Sequence, residues 1–312
     1  MLLSFEKIMN KFKYYCNHPN FIFVALLTKC NRFFSDELYL KLLYYLYMGK
    51  RLNLKDPKTF TEKIQWLKLY DFKPEYTNMV DKLAVKDYIA SRIGNEYIIP
   101  TLGVWDRVED IDWYSLPDRF VLKTTHGGGG CGVVICSDKD HFDKTMAIKK
   151  LDLSMQINAG LTFREKPYLN VPRRIIAEKF ISESKVAANI KSSDLQDYKF
   201  FCFNGKVKFF KIDFGRFIEH HANYYSLEGK LLPFGEKGLE PDPNHNDTMP
   251  SNLKDMISIA ERLSDGFKFL RVDLYNVNGK IFFGELTFYP AAGMGPFTPN
   301  AWDEIIGSYL LI

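Results

Sequence analysis

The sequence predicts an α+β protein whose helices come first and whose antiparallel strands follow. Three observations support this fold class: helical periodicity with capping signals before residue 95, short apolar runs after it, and hairpin dipeptides between consecutive runs. The dipeptides are Asn204-Gly205 and Asn278-Gly279. This order differs from the regular alternation of strand and helix that builds a parallel sheet, so we expect an α+β architecture without internal repeats.

Helix signals are clearest in the first third of the chain. Thr59-Phe-Thr-Glu62 fits a capping box, in which the threonine hydroxyl and the glutamate carboxylate satisfy backbone N–H groups at a helix start. Gly94 fits the stop of a helix that begins at Asp81. The predicted helices are 36–48, 59–70, 81–93, 139–157 and 253–263.

Strand signals dominate from residue 97 onward. Apolar runs of a few residues, bounded by turn residues, predict strands that are partly or wholly buried. The predicted strands are 97–99, 120–123, 132–136, 174–181, 198–203 and 206–212, followed by a hairpin between Arg271 and Pro290.

Composition limits the class of protein and its location. A chain of 312 residues with 46% apolar residues can bury a large core and form two or three compact units. Its longest apolar run, residues 21–27, is far shorter than the ~18–20 residues that span a bilayer, and no signal-peptide pattern is present. Because the five cysteines lack metal-ligand spacing, we expect reduced thiols in a cytoplasmic protein, with the inner face of the membrane as an alternative location.

The net charge of +4 is distributed unevenly along the chain. Residues 1–60 hold ten lysines and arginines against four acids, together with many aromatic residues. Such a region could lie on an anionic membrane surface, or bind an acidic glycan or a partner in glycan assembly. An aromatic helical layer packed on the main domain is equally compatible with the pattern, and no recognition motif points to nucleic acid.

The last predicted hairpin carries charged side chains at alternate positions, which is unusual for strands that otherwise look buried. Arg271, Asp273, Glu285 and Thr287 would share one face of it. Carboxylate oxygens from neighbouring strands suit Mg²⁺, which takes one or two protein carboxylates and fills its other positions with water and phosphate. An Arg–Asp ion pair on a solvated sheet face is the alternative.

The register of this hairpin decides whether Asp273 and Glu285 can share a metal. A two-residue turn at Asn278-Gly279 would place the two carboxylates on opposite faces, because side chains alternate along each strand. The metal hypothesis therefore predicts a three-residue connection, Val277-Asn278-Gly279, with Gly279 left-handed and bulged.

A glycine-rich loop joins two apolar runs earlier in the chain. Arg119-Phe-Val-Leu-Lys123 predicts a buried strand that ends in lysine, and five of the six residues from Gly127 to Gly132 are glycine. Such a loop can bring backbone N–H groups close to an anion. A flexible connector is the alternative, and we interpret His126, beside the loop, as passive or as a phosphate contact.

Several motifs occur in a characteristic order: Asp81-Lys82 before a helix, Lys123 before the glycine loop, Glu178-Lys-Phe-Ile181 at a strand end, then R-x-D and E-x-T with a trailing proline and glycine. This order resembles an ATP-grasp ligase. More narrowly, residues 53–70 and the ending Gly284-Glu-Leu-Thr-Phe-Tyr-Pro-Ala-Ala-Gly293 are similar to the TupA-like branch, found among polysaccharide-biosynthesis proteins. The resemblance covers residues 31–300.

The resemblance implies two α+β lobes that clamp ATP, preceded by a reduced helical N-terminal region. Residues 1–80 would form the helical, basic and aromatic region, 81–185 the first lobe with the glycine loop, and 186–312 the second lobe with the metal site. ATP and Mg²⁺ are the expected ligands. The expected metal ligands are Asp273, Glu285 and Thr287, although Thr287 stands where the superfamily commonly has asparagine, and a hydroxyl is a weaker ligand.

The same resemblance implies roles for residues around the nucleotide. Lys82 and Lys123 would hold the phosphates, and main-chain groups of Lys179 and Ile181 would read the adenine. Asp197 or Glu183 would accept the ribose hydroxyls, and we favour Asp197. The expected nucleotide-binding residues are Lys82, Lys123, Gly127, Gly128, Gly129, Gly130, Glu178, Lys179, Phe180, Ile181 and Asp197.

Cationic residues between the lobes are the candidates for catalysis. Arg271 could neutralise charge on a transferring phosphoryl group, or pair structurally with Asp273. A carboxylate substrate or its acyl phosphate would suit a cationic lining, although solvated strand ends are an alternative for these residues. The lining would comprise Lys199, Lys211, Arg216, His220 and His221, and the predicted catalytic residues are Arg271, Lys199 and Arg216.

The resemblance thus favours an ATP-dependent carboxylate–amine ligase that forms an amide through an acyl phosphate. Its expected substrates are a uronic acid of a surface polysaccharide or precursor and an amino acid or other amine. One alternative is a glycosyltransferase that uses a nucleotide sugar, with Asp110-Ile-Asp112 as its acidic motif. A non-catalytic nucleotide-binding scaffold and simple phosphotransfer to a hydroxyl are further alternatives.

Overall fold

The computed structural model describes residues 20–182, 195–214, 220–245, 247 and 249–312, and this part of the chain contains two large antiparallel sheets, a small two-stranded sheet and nine α-helices. The α+β prediction is therefore confirmed. The helices are α1 (Asn20–Lys29), α2 (Asp36–Met48), α3 (Phe60–Tyr70), α4 (Tyr76–Val80), α5 (Val85–Arg92), α6 (Lys144–Gln156), α7 (Ala159–Phe163), α8 (Leu253–Ser264) and α9 (Ala301–Tyr309).

The first sheet has four antiparallel strands in the order β1-β4-β2-β3. One of its faces packs on α6, where Leu151 and Ala147 meet the buried Phe120, Leu122 and Ile175. The strands are β1 (Thr101–Trp105), β2 (Phe120–Thr124), β3 (Val133–Cys136) and β4 (Ile175–Lys179).

The second sheet has five antiparallel strands in the order β10-β9-β5-β6-β7, and β8 and β11 form a small separate pair. Several elements were not predicted from the sequence: α1, α4, α7, α9, β1, β7, β8 and β11. The strands are β5 (Asp197–Phe203), β6 (Lys206–Phe214), β7 (His221–Tyr225), β8 (Gly235–Glu236), β9 (Phe269–Val277), β10 (Lys280–Thr287) and β11 (Phe297–Thr298).

The two faces of the second sheet differ in chemistry. One face packs on the apolar side of α8, where the Cys202 thiol approaches the Ala260 carbonyl at 3.8 Å. Along β5 the other face begins with Asp197 and Lys199 and ends with Phe201 and Phe203, because side chains alternate along a strand. Its aromatic end is covered by the helices α3 and α9, so its ionic end is left for the site described below.

The hairpin of β9 and β10 has a shorter turn than predicted, but it still places Asp273 and Glu285 on one face. Val277 pairs with Lys280, so the turn has two residues, Asn278 and Gly279, with φ of 52° and 83°. The predicted three-residue connection is therefore wrong. The register instead shifts at Gly284, a bulge, and Asp273 comes to lie directly opposite Glu285.

Some of the other local predictions are confirmed and others are wrong. The helix 36–48 and the capping box of Thr59 and Glu62 are confirmed. The predicted helix 81–93 begins only at Val85, because the Asp81 backbone is extended and its carboxylate accepts the Leu83 N–H at 2.8 Å. The predicted strand 97–99 is wrong, since a 3₁₀ turn ends at Tyr97 and β1 starts later.

Membrane and cysteine features were also predicted. Across the described ranges, no helix combines the length and apolarity that crossing a bilayer requires. Cys30, Cys131, Cys136 and Cys202 are free thiols, and Cys16 lies outside the described residues. The division into regions 1–80, 81–185 and 186–312 stays a prediction.

Candidate active site

A narrow cavity lies between the first sheet and the β9–β10 hairpin. Its first-sheet side carries lysine and glutamate side chains, and its hairpin side is the bulged segment of β10. The cavity is therefore bordered by β2, the strand that precedes the glycine loop, and by β10, the strand that holds Glu285. It is lined by Lys82, Lys86, Ile98, Ile99, Lys123, Glu178, Phe283 and Gly284.

Glu178 organises the first-sheet side of this cavity. Its carboxylate lies 2.7 Å from Lys123 Nζ and 2.6 Å from Lys86 Nζ. Burial alone would raise the pKa of Glu178, but the two ammonium groups outweigh it and hold that pKa below its ordinary value. The Glu178 side chain, predicted as part of an adenine-reading segment, thus fixes two cations at the cavity wall.

Lys86 was not singled out from the sequence. Its ammonium also donates to the Ile99 carbonyl at 2.9 Å and to Thr101 Oγ1 at 2.7 Å. The available signal was its spacing, since Lys86 follows Lys82 by one helical turn and both side chains can reach the same surface.

Lys82 supports the base of the glycine loop. Its backbone N–H donates to the Thr125 carbonyl at 3.1 Å, and its ammonium donates to the Gly127 carbonyl. Burial lowers the pKa of Lys82, and the charge of Lys123 acts in the same direction, whereas Glu285 and Glu178 oppose the change. Lys82 is thus electrostatically coupled to Glu285 of the second sheet.

This lowered pKa gives a prediction for anion binding. Affinity for inorganic triphosphate should fall with rising pH before the ordinary lysine range is reached, because Lys82 loses its proton early. Lys82→Arg should retain binding to higher pH, since guanidinium stays charged. Titration calorimetry over a pH series would measure both proteins, and identical pH profiles would contradict the prediction.

The glycine loop has a packed base and an open tip. A Cβ at Gly127 would lie 2.6 Å from Thr124 Oγ1, and one at Gly132 would lie 2.3 Å from Ser154 Oγ. A Cβ on any of the tip glycines would meet no other atom within 4 Å, so the space beside the tip is open to a ligand. These tip residues are Gly128, Gly129 and Gly130.

Substitution at the base and at the tip should therefore act differently. Gly132→Ala should lower the free energy of unfolding by at least ~1–2 kcal/mol, because Gly132 has a φ of 73° and its Cβ would collide with Ser154. Gly128→Ala should leave it within ~0.5 kcal/mol of the wild-type value. Urea denaturation would measure both, and equal losses would show that the base is not packed as described.

His126 belongs to the packed base of the loop. Its Nε2 lies 3.1 Å from the Ser154 carbonyl, and burial lowers the pKa of the imidazole. A buried imidazole that stays neutral at physiological pH suits the passive role rather than a phosphate contact.

The segment predicted to read adenine is partly engaged within the protein. The Lys179 N–H donates to the Pro100 carbonyl at 3.0 Å, so this group is already used. The Arg119 guanidinium lies 4.1 Å from the centre of the Phe180 ring, and Ile181 packs on the apolar cluster that contains Ile99. Glu183, the alternative ribose acid, lies outside the described residues.

Arg271 links the acidic residues of the second sheet. Its Nε and Nη2 donate to the two oxygens of Asp273, each at 2.7 Å. Nη2 also donates to Glu285 Oε1 and to Thr287 Oγ1, both at 3.0 Å. All four predicted residues therefore meet on one face, and the Thr287 hydroxyl serves Arg271 and Glu285 in this arrangement.

Lys199 and Lys211 do not form the exposed cationic lining that the sequence suggested. Lys199 contacts Asp197 and lies 2.8 Å from Asp273, and these acids overcome its burial and raise the pKa of its ammonium. Lys211 lies 3.4 Å from Asp213 and 3.2 Å from Glu236. The cross-strand register brings these opposite charges together, so both cations are neutralised within the sheet.

The remaining members of that set lie elsewhere. His220 Nε2 is 3.4 Å from Asp213, and His221 Nδ1 is 3.0 Å from the Glu240 carbonyl. Arg216 lies outside the described residues. Asp213 was missed from the sequence, although its two-residue spacing from Lys211 places both on one face of a strand.

The ionic face of the second sheet is rich in carboxylates. Among the described residues, its connected charged groups are five carboxylates, on Asp197, Asp213, Glu236, Asp273 and Glu285, and three cations, on Lys199, Lys211 and Arg271. The opposed carboxylates of Asp273 and Glu285 are suitable oxygen donors for Mg²⁺.

A metal at this face would need oxygen atoms from a ligand. Both Asp273 oxygens already accept hydrogen bonds from Arg271, and Lys199 donates to one of them. Among the described residues, no group of three or more His, Cys, Asp or Glu side chains is arranged to hold a metal ion. Asp273 and Glu285 therefore fit Mg²⁺ that arrives with phosphate groups better than a metal bound by protein alone.

The acidic triplet considered for a glycosyltransferase lies at an exposed turn. The Asp110 carboxylate accepts hydrogen bonds from Nε and Nη2 of Arg107, and Asp112 accepts the Tyr114 N–H at 3.1 Å. Ile111, between them, is buried. These carboxylates stabilise a local turn, and nothing in this geometry favours a nucleotide-sugar site.

Solved structures resemble this chain at low sequence identity. D-alanine–D-alanine ligase from Bacillus anthracis, complexed with ATP, aligns at 15% identity over 68% of this chain and 54% of its own length, with a TM-score of 0.38. N5-carboxyaminoimidazole synthetase from Staphylococcus aureus, complexed with ADP, aligns at 14% identity over 80% and 56%, with a TM-score of 0.41. D-alanyl-alanine synthetase A from Vibrio cholerae aligns at 14% identity over 76% and 64%, with a TM-score of 0.43.

The chain thus spans little more than half the length of the first two of these proteins. A comparison with curated proteins gives no match. The sequence profile of the family described as TupA-like ATP-grasp matches residues 62–311, which is most of the chain. The resemblance stated from the motifs is confirmed, and the chain belongs to the TupA-like ATP-grasp family.

Proposed function

We propose that this protein is an ATP-dependent carboxylate–amine ligase. In the proposed reaction a substrate carboxylate attacks the γ-phosphorus of ATP, which gives an acyl phosphate and ADP. An amine then attacks the acyl carbon, phosphate leaves, and the nitrogen loses a proton as the amide forms.

The observation that carries this proposal is the pairing of opposite charges around one cavity. Lys82, Lys86 and Lys123 lie on the first-sheet side, and Gly284 on the other side adjoins Glu285 and its cross-strand partner Asp273. A polyphosphate needs cations for its oxygens and carboxylates for the metal that accompanies it. A scaffold that binds no nucleotide would require neither set at this position, whereas a non-catalytic nucleotide-binding protein would use both and is distinguished by the lack of ADP release in the experiment below.

Each group has a role in this proposal. Lys123 and Lys82 would bind phosphate oxygens, and backbone N–H groups of the glycine tip would cover them. Arg271, held by Asp273 and Glu285, would offer its remaining N–H groups to the transferring phosphoryl group and the acyl phosphate. When bound, Mg²⁺ would neutralise phosphate charge, and Asp273 and Glu285 are the residues that would hold it.

The substrates are proposed from the family. The TupA-like branch is found among polysaccharide-biosynthesis proteins, so a uronic acid of a surface polysaccharide or its precursor is the proposed carboxylate. An amino acid or another amine is the proposed nucleophile. Phosphotransfer to a hydroxyl would use the same cation and carboxylate groups and is separated from ligation by the experiment below.

The test combines product release with trapping of the intermediate. Purified protein would be incubated with Mg²⁺-ATP and pools of uronates, with and without amines, while ADP and phosphate are followed. Hydroxylamine should convert the acyl phosphate to a hydroxamate that mass spectrometry identifies. ADP release with a phosphorylated hydroxyl product and no hydroxamate would reject ligation, and release of a nucleoside diphosphate from a nucleotide sugar alone would support the glycosyltransferase.

A further inference from the structure

The helix α1 is apolar on both of its sides. Val24 and Leu27 are buried against the core that includes Leu40 and Leu43 of α2. On the opposite side Phe23 and the neighbouring Ile22 and Leu26 are exposed, Phe23 to 58% and Leu26 to 55%. A helix that is apolar around its whole circumference is normally enclosed, so the outward side of α1 calls for a partner.

Exposed apolar residues continue beyond α1. Phe33, in the turn that follows, is 86% exposed. On α2 the exposed Leu38, Leu42 and Tyr45 recur at the spacing of a single helix face. Large exposed apolar patches on single chains mark interaction sites. We call this set the α1–α2 outer surface, which comprises Ile22, Phe23, Leu26, Phe33, Leu38, Leu42 and Tyr45.

The segment that carries this surface is positively charged. Residues 1–48 contain six lysines and arginines and three acids, a balance of +3, whereas the remaining residues hold 36 basic and 35 acidic side chains. Lys29 is exposed three residues after Leu26, and Arg32 is exposed directly before Phe33. Of the acids, Glu37 precedes Leu38 and its carboxylate is paired with Lys41 at 2.5 Å.

We propose that the α1–α2 outer surface binds the surface of an anionic phospholipid bilayer. Aromatic and aliphatic side chains flanked by lysine and arginine are the composition that enters the headgroup region of such a bilayer. A second copy of the chain would bring the same positive segment against itself, which disfavours a symmetric dimer through this surface. The inference does not depend on the proposed ligase activity.

Vesicle co-sedimentation of the full chain tests this inference. Binding should be strong to vesicles that contain an anionic phospholipid, at least ~10-fold weaker to vesicles of phosphatidylcholine alone, and weakened by salt. Lys29→Glu/Arg32→Glu should lower binding by at least ~10-fold, because each basic residue near the surface contributes about 1 kcal/mol. Phe23→Glu/Leu26→Glu should lower it further.

Tyr114→Glu serves as the matched control, since Tyr114 is 98% exposed and lies outside this surface. It should bind vesicles as the wild type does. All the changed side chains are exposed, so we expect each variant to fold. Circular dichroism would verify this. Equal binding to neutral and anionic vesicles, or unchanged binding of both double variants, would overturn the proposal. A dimer that Phe23→Glu/Leu26→Glu dissociates, without vesicle binding by the wild type, would also overturn it.

Discussion

Glu285→Gln should lower the rate of ADP formation by ~10²–10³-fold while the fold is retained. Glu285 has one ion-pair partner among the described residues, Arg271, and its side chain is 37% exposed. Glutamine keeps an oxygen for the hydrogen bond from Arg271 but removes the negative charge that would face the metal. Loss of a partly exposed ion pair costs at most ~1 kcal/mol of stability, so the effect should fall on function.

The state of Glu285 at neutral pH follows from its neighbours. Burial would raise the pKa of its carboxyl, but the charges of Arg271, Lys82 and Lys199 outweigh burial and lower it. Glu285 is therefore ionised throughout the physiological range, and the substitution removes a full charge. Lys82 contributes to this effect from the other side of the cavity, so the Glu285 charge is coupled to a residue predicted to bind phosphate.

A measurement independent of activity separates loss of metal from loss of nucleotide. Mn²⁺, used as a paramagnetic substitute for Mg²⁺, should bind the wild type tightly only when ATP is present, because the protein supplies too few ligands alone. Glu285→Gln should lose most of this ATP-dependent Mn²⁺ binding in electron paramagnetic resonance titrations. Tight Mn²⁺ binding without ATP would contradict the assignment.

Glu261→Gln is the matched control for this substitution. Glu261 lies on α8, is 27% exposed, and has one lysine partner, Lys206 at 2.8 Å. Removing the Glu261 charge should lower the stability by a similarly small amount and leave ATP turnover unchanged. Equal loss of turnover in both variants would show that the effect of Glu285→Gln is not specific to the cavity.

Much of the site could be predicted from local sequence signals. Lys123 before the glycine loop and the alternation of Arg271 with Asp273 are visible because strand periodicity and glycine clusters are short-range patterns. The hairpin dipeptide also located the turn correctly. These signals depend only on residues close together in the chain.

The register of β10 could not be predicted in this way. Gly284 lies inside a strand, where one glycine can mark a bulge or a close approach of another backbone, and a Cβ there would come within 3.0 Å of the Asp273 carbonyl. The sequence does not distinguish these cases. Since the bulge decides whether Asp273 faces Glu285, the central geometry of the site depends on a feature with a weak local signal.

The ion pairs that neutralise Lys199 and Lys211 could not be predicted from local sequence patterns either. It depends on β5 lying between β9 and β6, which brings Lys199 opposite Asp273 on one side and Lys211 on the other. Asp273 and Lys199 are 74 residues apart in the chain. Long-range strand order therefore places these predicted cationic residues in a layer of ion pairs.

Asp273→Asn should lower the free energy of unfolding by ~1.5–3 kcal/mol, because Arg271 and Lys199 each lose one buried counter-ion, although Glu285 and Asp197 stay beside them. Asp273 is 1% exposed, and it accepts both branches of the Arg271 fork and the Lys199 ammonium. This contrasts with Glu285, which lies opposite it and is partly exposed. Urea denaturation monitored by tryptophan fluorescence would measure the loss, and wild-type stability would show that the fork does not stabilise the fold.

A double-mutant cycle shows whether this loss comes from the ion pair itself. Arg271→Met alone should also be strongly destabilising, since it leaves the buried Asp273 carboxylate with Lys199 as its remaining cation. The double variant Asp273→Asn/Arg271→Met should lose less stability than the two single losses combined, because neither partner is left uncompensated. Strict additivity would mean that the two residues act independently. A coupling of ~1–3 kcal/mol would instead show that the two residues stabilise the sheet as one ion pair.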